Sequence, residues 1–174
     1  MSKKIFMFVG ALALVLTASG CGEKTLVENQ MERQLEKNLG GDAKVQVDGE
    51  NVNIQTEQGS LQVGEDVSLP QDFPSDVYVI DGQLMSAMKN VVGAGYQVVV
   101  KSDKTPKDAQ ELYETKLKEQ GWKITTSMNL GTAAVVSAQK GKRVVSVSLG
   151  TEEGKDGLAV IITVVDDTMQ VPSR

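Results

Sequence analysis

The chain has 174 residues, with 18 Lys and Arg against 23 Asp and Glu, a net charge of −5 and an isoelectric point near 4.8. Apolar residues make up 40%, enough for a core, so wholesale disorder is excluded, and the length allows one or two small domains. With no histidine and one cysteine, the chain has no His-based acid–base catalysis, no Cys–His nucleophile, no intramolecular disulfide and no ordinary zinc site; its acidity argues against a nucleic-acid partner.

Residues 1–20 read as an export signal. Lys3 and Lys4 open it, Ile5 to Leu16 run without a charge, and Thr17-Ala18-Ser19-Gly20 supplies small residues ahead of Cys21. The apolar run makes about 18 Å of helix, short of a bilayer core of about 30 Å.

Ala18-Ser19-Gly20-Cys21 resembles the lipobox of bacterial lipoproteins, a small triplet ending in the cysteine that becomes lipidated; Ala18 stands where the family usually has Leu. The resemblance implies removal of residues 1–20, a diacylglyceryl cysteine with palmitate-type chains at Cys21, and a protein exported and lipid-anchored to the cell membrane. Gram-negative members retained at the inner membrane carry an aspartate after the cysteine. Gly22 here implies the periplasmic side of the outer membrane, if the organism has one. The alternative is an ordinary signal peptide cut elsewhere, with Cys21 a stray thiol, which is a liability in an exported protein. Each buried methylene contributes about 0.8 kcal/mol, so two or three acyl chains anchor where one only holds marginally. Losing Lys3 and Lys4 and no acid takes the net charge from −5 to −7, which keeps the body off anionic headgroups.

Glu23 to Leu39 predicts a helix, because Val27, Met31, Leu35 and Leu39 recur every fourth position and Gly40-Gly41 stops it. Val45 and Val47, then Val52 and Ile54 across the Asp48-Gly49-Glu50-Asn51 turn, then Leu61 and Val63, alternate as a β-meander with one apolar face. Residues 21–66 thus read as an N-terminal helix plus a small meander. Two uses are open to the helix, packing on the meander or acting as a tether. Residues 67–76, with Pro70, Asp72 and Pro74, read as a linker whose Phe73 docks on the next module.

Residues 77–167 read as the main domain. Leu84 to Val92 and Tyr96 to Lys101 form strands around Gly93-Ala94-Gly95. Thr105-Pro106-Lys107-Asp108 opens a helix with a capping box and proline at its first position; Ala109, Leu112, Tyr113 and Leu117 line one face, and Gly121 ends it. Four more strands follow, Trp122 to Met128, Ala133 to Gln139, Val144 to Leu149 and Leu158 to Val165, with connections short enough to make them antiparallel. Residues 168–174 are a tail. The fold class is α+β, an antiparallel β-sheet covered by one main helix and preceded by a helix and small β-meander. From Asp72-Phe73-Pro74 through Gly121-Trp122 to the last strand, the order of elements resembles small domains of uncharacterised bacterial envelope lipoproteins. That likeness implies the fold and brings no catalytic residue.

Candidate chemistry is sparse. Ser86-Ala87-Met88-Lys89 matches S-x-x-K, but on a strand positions i and i+3 face opposite sides, and no K-T-G follows. Asp76/Asp81, Glu152/Glu153/Asp156 and Asp166/Asp167 are the carboxylate groups available for glycosidase work; they read as solvated turns. Glu152 to Asp156 lacks the spacing of a calcium loop. Trp122, just past a helix stop, reads as core packing more than as a sugar platform. The reading is a membrane-anchored cell-envelope lipoprotein with a non-enzymatic binding or structural accessory role. Lipidation of Cys21 is its one assigned site, with no catalytic residue, cofactor or metal. Its partners are the membrane, through Cys21, and an envelope protein or glycan. The alternatives are a carboxylate-dependent hydrolase of envelope glycans and a ligand-binding module using the sheet face opposite the main helix.

Overall fold

Period-two burial builds the sheet. Among the last strands, Val145, Val147 and Leu149 alternate with Val144, Ser146 and Ser148, and Leu158, Val160, Ile162 and Val164 alternate with Ala159, Ile161 and Thr163; the first of each pair of sets is buried. The computed structural model describes residues 26–39, 43–57, 59–90, 95–151 and 157–166. Cys21 and the apolar run before it lie outside the described residues, as do Val91, Val92, Glu152, Glu153, Asp156 and Asp167.

The elements are α1 (Leu26–Leu39), β1 (Lys44–Asp48), β2 (Asn51–Gln55), β3 (Ser60–Val63), β4 (Gln83–Lys89), β5 (Gly95–Ser102), α2 (Pro106–Glu119), β6 (Lys123–Asn129), β7 (Ala133–Lys140), β8 (Arg143–Thr151) and β9 (Leu158–Asp166). All strands join one nine-stranded sheet in the order β1-β2-β3-β4-β5-β9-β8-β7-β6, and every pairing is antiparallel. The α+β class is as expected. The meander expected to stand apart does not: β3 pairs with β4, Ser60 opposite Lys89 through Val63 opposite Ser86, so β1 to β3 extend the main sheet. A three-stranded meander leaves one edge of backbone donors and acceptors unpaired, and β4 offers the matching edge.

Two meanders, β1 to β5 and β6 to β9, therefore meet at the β5–β9 seam, where eight residue pairs run from Gly95–Val165 to Ser102–Leu158. The link between them is α2, and its 14 residues span about 21 Å, enough to carry the chain across the four strand spacings from β5 to β6.

Both ends of α2 are fastened as the residues dictate. At its start the Thr105 hydroxyl accepts from the Asp108 N–H at 3.1 Å and donates to the Asp108 carboxylate at 2.8 Å, with Pro106 at the first helical position. At its end Gly121, φ +81°, takes the left-handed stop; its N–H donates to Lys118 O at 3.0 Å and the Trp122 N–H to Leu117 O at 2.9 Å. Ala109, Tyr113 and Leu117 point into the core against Val136, Val145 and Val147. The contacts of α2 are with β6, β7 and β8, whereas α1 lies along β1 at the opposite end.

α1 also closes an edge. Glu32 Oε1 accepts from the Val47 N–H at 2.7 Å and Glu28 Oε1 from the Gly49 N–H at 3.2 Å. The helix thus packs on the meander. By register, the buried Val45 and Val47 share a face with Ile54 and Val52, Leu61 and Val63, Met88 and Ser86, which is the face opposite α2.

Leu117→Ala removes a fully buried side chain and lowers unfolding free energy by about 2–5 kcal/mol. Gly121→Ala costs about 1 kcal/mol through φ alone, since only the tip of Lys140 lies near the added Cβ. Denaturant unfolding followed by Trp122 fluorescence checks both.

Candidate functional site

Residues 70–82, which take in most of the expected linker 67–76 and the start of the main domain, form a strap across the buried side of the sheet. Two turns shape it, Phe73 N–H to Pro70 O at 2.9 Å and Val77 N–H to Pro74 O at 3.1 Å. Val77 and Ile80 are in the core cluster, and Phe73 docks edge-on to Tyr96 with ring centroids 5.5 Å apart. Tyr78 meets Tyr113 at the same separation. Polar bonds hold the ends: the Tyr96 hydroxyl donates to Asp72 O at 3.0 Å, the Ile80 N–H to the Tyr113 hydroxyl at 3.3 Å, and the Ser102 hydroxyl to Asp81 O at 3.1 Å. Burial pushes the Tyr96 phenol up to about 12, and raises Tyr113 as well. Both therefore act as neutral hydrogen-bonding groups throughout the physiological range.

The strap carries the strongest charge cluster among the described residues. Arg143 grips Asp76 with two nitrogens, at 2.8 and 2.6 Å, and Lys140 Nζ reaches the same carboxylate at 2.7 Å and Gln120 O at 2.8 Å. Trp122 lies beneath, 3% exposed, its indole N–H donating to Asp76 O at 2.6 Å and its ring 5.1 Å from the Arg143 guanidinium carbon. The Arg143 hydrogen bonds, helped by Lys140 and opposed by partial burial, hold the Asp76 carboxyl at about 2. A carboxylate so engaged stays ionised and is a poor proton donor at neutral pH. No sequence signal announced this clasp, because Asp76 sits 64 residues from Lys140 and 67 from Arg143.

Two of the other candidate carboxylates lie among the described residues. Asp81 is exposed near the end of the strap, and Asp166 ends β9 opposite Arg143 in register. Among the described residues no three His, Cys, Asp or Glu side chains stand together as a metal site. Ser86 and Lys89 fall on opposite faces, opposite Val99 and Tyr96 respectively, and Lys89 is spent on an ion pair with Asp72. Trp122 is buried, so the sugar platform is not formed.

Two surfaces remain that a partner can reach. One is a recess of about 200 Å³ at the β1–β2 turn. Asp48, Asp66, Gln46, Asn53 and Gln62 line it without a cation, and Asn53 Oδ1 is a buried acceptor with no donor. Its chemistry favours small hydrogen-bond donors. The other is the sheet face opposite α2. There Ser137 and Ser146 share a 3.2 Å hydrogen bond, Gln97 donates to Thr163 at 3.4 Å, and Met128, Val144, Ile161 and Val165 are 51%, 41%, 37% and 42% exposed. By contrast, the space between α2 and the sheet is filled by Tyr113, Leu117, Val136, Val145 and Val147, all at 0% exposure.

Comparison with known proteins is limited to one family. A family model described as START domain-like matches residues 84–169, just under half of the chain, from the second residue of β4 through β9. No curated protein and no solved structure matches the chain.

Asp76→Asn strands two neighbouring cations and costs about 2 kcal/mol at pH 7. The native carboxyl titrates near 2, below its ordinary 3.8, so its stabilisation is complete above the ordinary value and is lost as pH falls through the native one. The gap between wild type and variant therefore closes between about pH 5 and pH 2 in urea unfolding series. A gap that stays constant with pH overturns this account.

Proposed function

We propose that this protein is a lipoprotein of the cell envelope, exported by residues 1–20, acylated at Cys21, and carrying a non-enzymatic binding module. The observation that supports it most is Ala18-Ser19-Gly20-Cys21 placed directly behind a short charge-flanked apolar run, in a chain with one cysteine. Five residues from Cys21 to Leu26 reach at most about 18 Å, so the anchor holds α1 and the β1 end of the sheet close to the lipid. The acidic body then stands away from anionic headgroups. α2 and the strap serve as the cover of the buried face, and α1 with β1 to β3 as its anchored extension.

A binding role rests on two further points. The START domain-like match favours ligand or partner binding over catalysis. Much of the accessible surface chemistry also lies on a broad sheet face. Glycan hydrolysis, the other reading, needs a carboxylic acid free to give up a proton, and Asp76 is bound to Arg143 and Lys140.

Mass spectrometry of the protein from its native membrane tests the anchor. A mature chain beginning at diacylglyceryl Cys21 is expected, with Cys21→Ser leaving an unacylated chain that partitions with the soluble fraction. An unmodified Cys21, or a mature N-terminus elsewhere, ends the lipoprotein reading. Cleavage of an envelope glycan by the purified protein ends the non-enzymatic one.

A further inference from the structure

We infer that the open face of the sheet pairs with the same face of a second copy. The inference builds on reading this face as the binding surface and is independent of the anchor. Three observations carry it.

The first is charge. Across β5, β9, β8 and β7 the face opposite α2 holds one ionisable side chain, Lys101 near the end of β5. A protein of net charge −5, or −7 without its signal, repels its own copies nearly everywhere, and this face is where two copies meet without burying like charges.

The second is relief. Outward from β9 stand Ile161 and Val165; on β8, Ser148 stands beside Ile161, flanked by Ser146 and Gly150, while Val144 stands beside Val165. An added Cβ at Gly150 meets nothing within 4 Å. Ile161 thus stands as a β-branched ridge beside a furrow of small residues, Ser146 to Gly150. A two-fold axis between β8 and β9 lays each copy's Ile161 ridge over the other's Ser148–Gly150 furrow, the reciprocal contact that isologous pairing requires. The hydroxyls of Ser137, Ser146 and Thr163 are bonded to neighbours within the face, which lowers their polar demand on the partner.

The third is area. Strands β5, β7, β8 and β9 have eight or nine residues each. At about 3.3 Å per residue and about 4.8 Å between strands, they outline about 500 Å² per copy, or about 1,000 Å² in a pair before side-chain relief is added. That reaches the lower bound for a specific interface, and two sheets packed about 10 Å apart are a stable arrangement.

Light scattering of the full-length chain in mild detergent, at tens of micromolar protein, tests the inference. The wild type is expected at the protein mass of two protomers. Ile161→Lys and Val165→Lys, both at exposed positions, are expected to raise the apparent dissociation constant at least tenfold with unchanged circular dichroism, while Lys107→Ala on α2 leaves the pair intact. A wild type that stays at one protomer's mass overturns the inference, as do dimers that survive both lysine variants. A wild-type monomer whose open face crosslinks in cells to another envelope protein overturns it too, and leaves the binding reading standing. Loss of Cys21 acylation with the dimer intact supports the inference while ending the lipoprotein reading.

Discussion

The β5–β9 seam is the constraint on which this structure rests. Each meander alone has one apolar face and an unpaired inner edge, and neither can bury both. Pairing Gly95–Ser102 with Leu158–Asp166 closes both edges together and aligns Val98 and Val100 with Ile162 and Val160 in one buried layer. The helix that connects the meanders then lies over β6 to β8, and its Tyr113 and Leu117 finish the layer. Since most of these contacts join residues far apart in the chain, folding has to meet the cost of a long loop before the seam repays it.

The strap shows how the remaining buried face is covered without a second long helix. Its apolar residues enter the core, and its backbone is satisfied by hydroxyls from Tyr96, Tyr113 and Ser102. The Asp76 clasp adds position as well as stability. Its charges are only partly desolvated, and the hydrogen bonds from Arg143 and Lys140 outweigh that cost and keep the carboxyl ionised. Its geometric effect is that strap, helix end and β7–β8 hairpin are tied at one point above the Trp122 ring.

One-sided cover has a functional consequence. A sheet with α2 and the strap on one face and α1 only at its far end presents the rest of its other face to whatever the protein meets. That face carries no described acid on β5 to β9, and it is hydroxyl-bearing in an otherwise acidic molecule. The space beneath α2 is closed by large side chains, which directs attention for binding to the outer face and to the recess beside Asn53. Similarity to START domain-like chains covers the region that builds this arrangement, β4 to β9 with α2.

Much of the fold was legible locally. Thr105-Pro106-x-Asp108 and Gly121 set the ends of α2 because capping is a contest among neighbouring backbone groups, and alternation in residues 143–166 set the last strands because period two is a property of the strand itself. The apolar run and Cys21 are likewise local, and they carry the expectation of an anchor. Tertiary structure alone decided that the first meander joins the main sheet, that a proline-containing linker is a buried strap, and that Asp76 belongs with Arg143 and Lys140. Edge pairing, burial and ion pairing between residues 21 to 67 positions apart depend on where the chain returns, and no spacing within a short window encodes that return.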